Sequence, residues 1–443
     1  MRDRVRFFTK KSGHKYDKDP ATVCSTAVNS GILSISPRLA SRMSVEAIIR
    51  TIRRRGIVHR LYLGNSCLGD SGCVRLFDFL NSSAGRPCRE SLTELFLTQN
   101  DIGPHGLLAV AGFMKDNTVL RELCLSGNPL TRDVDVIKEF VTSLNSSRLC
   151  TLQLLHSSSL SDPFVQAFLP GLTTPYLRQL DMSAINMTRA VVPIIVDYVR
   201  SPRCHLERLQ CNANSLSLPG ARSIVDAIEK FNYTLGKVNV DDQHMDDDGG
   251  NAEERAIAWQ EGWRILSRAT RRNFESKIVV KTQAIALLRY CRALYLHPAQ
   301  RESPNPLQPA FVSSRKSLGY RESCLFFKLP LEIQLEILTF LAPTLSYQQL
   351  VRVVRYAADI TSLPRVSHGP MINLGGSKTI VARDWVSAVE RQPFEGSWRP
   401  PEWWECRCLS FNCSALRRWK RERRDIWLTE VGCDTWESGY QYR

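Results

Sequence analysis

The apolar residues of this chain recur in a fixed order. Leu92-Thr-Glu-Leu95-Phe-Leu97-Thr-Gln-Asn100-Asp-Ile102 returns as Leu120-Arg-Glu-Leu123-Cys-Leu125-Ser-Gly-Asn128-Pro-Leu130 and as Leu206-Glu-Arg-Leu209-Gln-Cys211-Asn-Ala-Asn214-Ser-Leu216. Weaker copies centre on Leu61, Leu152, Leu180 and Val238. Taking the middle leucine as anchor, Leu61, Leu95, Leu123, Leu152, Leu180, Leu209 and Val238 are spaced by 34, 28, 29, 28, 29 and 29 residues. The Leu-x-Leu pair alternates with period two, which predicts a short strand with both leucines turned inward. The asparagine stands at the following bend, where its side chain can bond backbone groups the turn leaves unpaired. Glycine follows eleven residues after the anchor in three copies, at Gly72, Gly106 and Gly220. Helices are expected next, within 72–80, 134–141 and 224–228 for example. One strand–helix unit cannot bury its apolar face alone, so the units must stack.

The longer first interval places a surface loop near 84–91, which is rich in Gly and Pro. Ser157 and Ile185 replace the bend asparagine in two copies, and looser turns are expected there. Ahead of the array, Ser44 and Gly56 read as N-cap and C-cap of an amphipathic helix, with Arg53, Arg54 and Arg55 suited to its C-terminal end.

A 28–29-residue strand–helix period resembles the ribonuclease-inhibitor-like leucine-rich repeats over residues 45–240, a repeat type shared by Ran GTPase-activating proteins. The resemblance implies an α/β solenoid, a horseshoe of about seven strand–helix repeats, followed here by a mostly helical C-terminal region. It also implies a protein target held on the concave strand face. The positions beside the buried leucines that should point outward there are Arg60, Tyr62, Glu94, Phe96, Glu122, Cys124, Gln153 and Asp181. Aromatics among charges are the material of binding hot spots. The alternative is that Tyr62 and Phe96 pack under the N-terminal cap.

Further on, Leu329-Pro330-Leu-Glu332-Ile333-Gln-Leu-Glu-Ile337-Leu338-Thr-Phe-Leu341 resembles the opening helix of an F-box. In F-box proteins such a helix binds the adaptor subunit of an SCF-type ubiquitin ligase. The resemblance therefore implies adaptor contacts at Leu329, Pro330, Glu332, Ile333, Ile337, Leu338 and Leu341. Leu331, Leu335 and Leu338 should share one face, with Ile333, Ile337 and Phe340 on another. An ordinary core helix is the alternative. The F-box pattern covers about 30 residues and lacks its usual third segment, unless Trp385 supplies it.

The expected organisation is a basic flexible arm over 1–43, a capping helix over 44–56, the solenoid over 57–250 and a cap of two helices over 251–297. A Pro-rich linker over 298–322 follows, and then the F-box-like helix with a small Trp/Cys-rich domain over 323–443. The net charge of +15 is uneven: residues 1–60 carry 14 Lys/Arg against 4 Asp/Glu, residues 61–240 carry 16 of each, and the remainder 29 against 24. A basic arm can meet an acidic partner, RNA or an anionic membrane, but a solvated arm is the simpler reading. Neither nucleic acid nor a membrane is expected as partner.

No apolar run reaches the roughly 18–20 residues that cross a bilayer, and the opening residues lack an apolar signal core. The 14 cysteines are therefore read as reduced thiols in a cytoplasmic or nuclear protein. Three further motifs have blander readings. The acidic run 241–250 lacks EF-hand spacing and reads as a solvated loop. Cys406, Cys408, Cys413 and Cys433 have poor zinc spacing and read as part of a small core. Gly375-Gly-Ser-Lys378-Thr379 misses the phosphate-loop pattern. With isolated histidines and no catalytic motif, a non-catalytic protein without metal or cofactor is expected. Three functions compete: substrate receptor of a ubiquitin ligase, stand-alone interaction scaffold, and GTPase activator.

Overall fold

A computed structural model describes residues 32–34, 44–241, 252–295, 326, 329–359, 362 and 424–437. The rest of the basic arm, most of the acidic run, the Pro-rich linker, the Gly375–Thr379 segment, Trp385, and Cys406, Cys408 and Cys413 lie outside these residues.

Eight strands form one parallel sheet in sequence order. They are β1 (Ile32–Ser34), β2 (Arg60–Tyr62), β3 (Glu94–Phe96), β4 (Glu122–Cys124), β5 (Thr151–Gln153), β6 (Gln179–Asp181), β7 (Arg208–Gln210) and β8 (Lys237–Asn239). Every anchor pairs with the next, from Leu61 with Leu95 to Leu209 with Val238. A helix follows each of the first seven strands. These are α1 (Val45–Arg55), α2 (Gly69–Asn81) with the short α3 (Arg86–Arg89), α4 (Pro104–Met114), α5 (Val134–Ser146), α6 (Ser161–Gly171), α7 (Val192–Arg200) and α8 (Leu218–Phe231). The anchors and the facing helix residues form one continuous core.

β1 was not expected. It falls within the stretch read as a flexible arm, and Leu33 pairs with Leu61, 28 residues on. Helix α1 therefore belongs to a complete first unit instead of merely sealing the array. Its ends are as expected: Ser44 accepts from Ala47 N, and the Gly56 N–H reaches Ile52 O at a φ of 69°.

The recurring glycines mark close helix approaches. A Cβ at Gly72 would meet Val45 Cγ2 at 2.9 Å, and one at Gly220 would meet Val192 Cγ2 at 2.8 Å. Neighbouring repeats could not close to this distance around a larger side chain. Asp70 of α2 reaches into the next repeat, where its carboxylate accepts from Gly103 N at 2.6 Å and Gly106 N at 2.8 Å. It thereby caps the positive end of α4.

The bend asparagines form a buried ladder. Asn128 Nδ2 donates to Leu97 O (2.9 Å) and Leu125 O (2.8 Å), and its Oδ1 accepts from Asn100 N (2.8 Å) and Ile102 N (3.2 Å). Asn214 repeats this with Met182 O, Cys211 O, Ile185 N and Met187 N. At Ser157 the side chain makes only a 3.5 Å contact to Leu125 O. Backbone bonds close that turn, Ser157 N to Leu154 O and Leu160 N to Ser157 O.

Beyond the sheet, the two helices expected over 251–297 are one continuous helix, α9 (Ala252–Tyr295, 44 residues), about 66 Å long at 1.5 Å per residue. No Gly or Pro interrupts it after Gly262. Its first half closes the array: Asn273 is buried and donates to Asn232 O (3.0 Å) and Leu235 O (2.9 Å), while Arg272 reaches Glu229 O and Asn232 O. Its second half enters a separate core with α10 (Leu331–Thr339), α11 (Tyr347–Ala358) and α12 (424–430).

The segment after α12 then returns to the repeats. Arg178 bonds Asp434, both side chains being nearly buried, and Trp436 packs on Tyr233 with ring centroids 4.6 Å apart. Residues 424–437, part of what was expected as a domain beyond a linker, thus contact the array directly. Among the described residues no helix is long and apolar enough to cross a membrane.

Candidate functional sites

Because strand side chains alternate, the residues flanking each buried anchor lie on the sheet face turned away from the helices. In most strands both flanking positions are partly exposed. In-register pairing brings equivalent positions of neighbouring strands together, about 4.8 Å apart. One row runs Arg60, Glu94, Glu122, Thr151 and the next Tyr62, Phe96, Cys124, Gln153.

At the β2–β4 end these rows form a bonded cluster. Tyr62 and Phe96 stack with centroids 4.5 Å apart and planes at 20°. Arg60 Nε pairs with Glu94 Oε1 at 3.0 Å, and the Tyr62 hydroxyl donates to Glu94 Oε2 at 3.4 Å. Gln153 Nε2 donates to Glu122 Oε1 at 3.0 Å. Burial, and then the negative charge of Glu94, raise the Tyr62 phenol pKa. The same two causes, in the same order, raise the Glu122 carboxyl, with Arg60 opposing. Tyr62 and Phe96 are half-buried against each other, with part of each ring left open.

Seven of the eight candidates expected on this face are partly exposed there. Cys124 is the exception, at 4% exposure. Its small side chain lies beneath Thr98 and Ser126, at 3.2 and 3.3 Å from their hydroxyls, so it serves the fold and not a partner. Asp181 is partly exposed, but its carboxylate accepts from Ser183 N at 3.0 Å and holds the turn. Sequence reading missed Arg208 Nη1 bonding Gln179 Oε1 at 3.3 Å farther along the face, although both occupy the row before the anchor.

The F-box-like helix α10 is apolar on two sides, as expected, with a different division. Leu335 and Leu338 are buried in the second core. Leu331 faces outward together with Ile333 (47% exposed), Ile337 and Phe340 (78% exposed). Leu329, Leu341 and Tyr347 extend this apolar surface, and Pro330 and Glu332 are exposed beside it. Leu338, expected to contact an adaptor, is 1% exposed and holds the helix to its own core. Pro330 stands at the N-cap of α10.

The described cysteines are free thiols. Burial pushes Cys73, Cys88, Cys211 and Cys433 up to about 12 and Cys204 up to about 11. These five are protonated core residues at neutral pH and unreactive as thiolates. Cys433 lies in the second core beside Leu428 and Val431.

No family model matches the chain, and no curated protein matches it.

Proposed function

We propose that this chain is a leucine-rich-repeat protein of the ribonuclease-inhibitor type that binds other proteins and acts as a substrate receptor of an SCF-type ubiquitin ligase. On this reading the sheet face is the concave side of a horseshoe and holds the target. The exposed side of α10 holds the ligase adaptor. The observation that carries the proposal is the continuous apolar surface of α10: a soluble helix rarely leaves so many large apolar side chains uncovered without a protein to cover them. The stacked Tyr62–Phe96 pair gives the sheet face a rigid aromatic anchor of the kind that dominates binding energy.

Affinity purification of the full chain followed by mass spectrometry tests the reading. The adaptor should be recovered with wild type and lost when Leu329 and Pro330 are both replaced by alanine, with little change in melting temperature. A wild type that never recovers the adaptor removes the ligase reading. A second reading, a stand-alone interaction scaffold, is favoured by one observation: the segment after α12 is bonded to the repeats through Arg178 and Asp434, as a purely structural C-terminal region would be.

A further inference from the structure

Glu122 is an unusual surface carboxylate. It lies in direct register with Glu94, and like charges directly opposite on a sheet repel. Glu94 already pairs with Arg60 at 3.0 Å. Glu122 itself accepts from the neutral Gln153 amide at 3.0 Å. Phe96 follows Glu94 by two residues on the same face of β3, one strand over from Glu122, and Phe96 in turn stacks on Tyr62.

A half-buried carboxylate edged by aromatic faces matches a planar guanidinium, which pairs with carboxylate oxygens through its N–H fork and stacks on rings. The chain as a whole carries +15, so a cation drawn to this spot is drawn by the local arrangement against the overall field.

We propose that the sheet face across β2, β3 and β4 captures a basic peptide segment of its partner, an arginine of that segment pairing with Glu122 and lying against the Tyr62–Phe96 stack. The inference rests on the reading of this face as the target-binding surface.

The test uses the full chain and a labelled decapeptide of alternating arginine and glycine, followed by fluorescence anisotropy, with the glutamate–glycine peptide as control. The arginine peptide should bind and the glutamate peptide should not. Binding should weaken with added salt, because the pair is only partly shielded from solvent. Glu122→Gln and Tyr62→Ala should each weaken binding at least about tenfold. Asp135→Asn, at a carboxylate 94% exposed on α5, should change nothing. Glu122→Gln should also raise the melting temperature at pH 7, which a merely structural glutamate would not do.

Absence of binding to wild type, or equal binding to Glu122→Gln, overturns the proposal. The chain's own basic residues before β1 are the competing occupant. Peptide binding that emerges only after Arg2, Arg4, Arg6, Lys10 and Lys11 are neutralised overturns a partner in trans. If Tyr62→Ala loses the native partner while Glu122→Gln keeps it, the face binds a partner of other chemistry and only this inference fails. If neither substitution matters, the target-binding reading fails with it.

Discussion

Replacing Asn128 with alanine probes the stacking of the repeats most sharply. The side chain is 2% exposed and satisfies four backbone groups of two adjacent repeats: Leu97 O, Leu125 O, Asn100 N and Ile102 N. A buried polar group left without a partner costs about 1–3 kcal/mol. If local shifts or an entering water rescue two of the four, the loss is about 4 kcal/mol. That is a large share of the roughly 5–15 kcal/mol that holds a typical domain together.

Asn145→Ala is the matched control. Asn145 also bridges repeats, donating to Gly171 O at 2.8 Å and accepting from Thr173 N and Thr174 N, but it sits partly exposed at the C-terminal end of α5, where two of the three bonds are open to water. Its loss should cost about 1 kcal/mol. Urea unfolding followed by circular dichroism gives both values from the shift in midpoint at constant slope. Equal, small losses from the two variants would falsify the argument, because they would mean that the buried ladder contributes no more than bonds open to water.

Three further substitutions test other parts of the account. Arg178→Ala should leave Asp434 buried without its cation, costing about 3–5 kcal/mol and exposing residues 424–437 to limited proteolysis; unchanged protease resistance would contradict the bridge. Asn273→Ala should cost about 1–3 kcal/mol, read as a lower melting temperature, by uncapping Leu235 O; no loss would mean that α9 does not seal the array. Glu122→Gln should be stabilising in a pH-dependent way. Glu122, facing Glu94, Arg60 and Gln153, holds its proton more tightly when folded, so its stabilising contribution is complete below the unfolded value of about 4.3 and is lost as pH rises through the folded value. The variant should match wild type near pH 3.5 and exceed it increasingly toward pH 7; a constant offset would refute the sign.

The parts of the fold carried by short-range pattern were legible in the sequence. Seven anchors, taken from the recurring leucine pattern, are the buried centres of seven paired strands, and the glycines eleven residues on are points of close helix approach. β1 escaped notice because a three-residue strand with one buried leucine carries no bend asparagine; its one signal is Leu33 standing one period, 28 residues, before Leu61. The two helices expected over 251–297 are one, because the apolar face of α9 changes partner midway, from the repeats at Ile265, Leu266 and Ala269 to the second core from Val280 on. Cys124 and Leu338 were misplaced because alternation tells which side a residue faces, not what covers it. The contact between Arg178 and Asp434 spans 256 residues, and no local pattern carries information over that distance.

The central claim is that two separate surfaces bind two different proteins. The direct measurement is quantitative affinity purification of three full-length forms: wild type, Tyr62→Ala with Phe96→Ala, and Ile333→Glu with Phe340→Glu. The account predicts that the sheet-face variant loses the target and keeps the ligase adaptor, while the α10 variant loses the adaptor and keeps the target. A wild type that recovers neither protein, or two variants with the same losses, would contradict it.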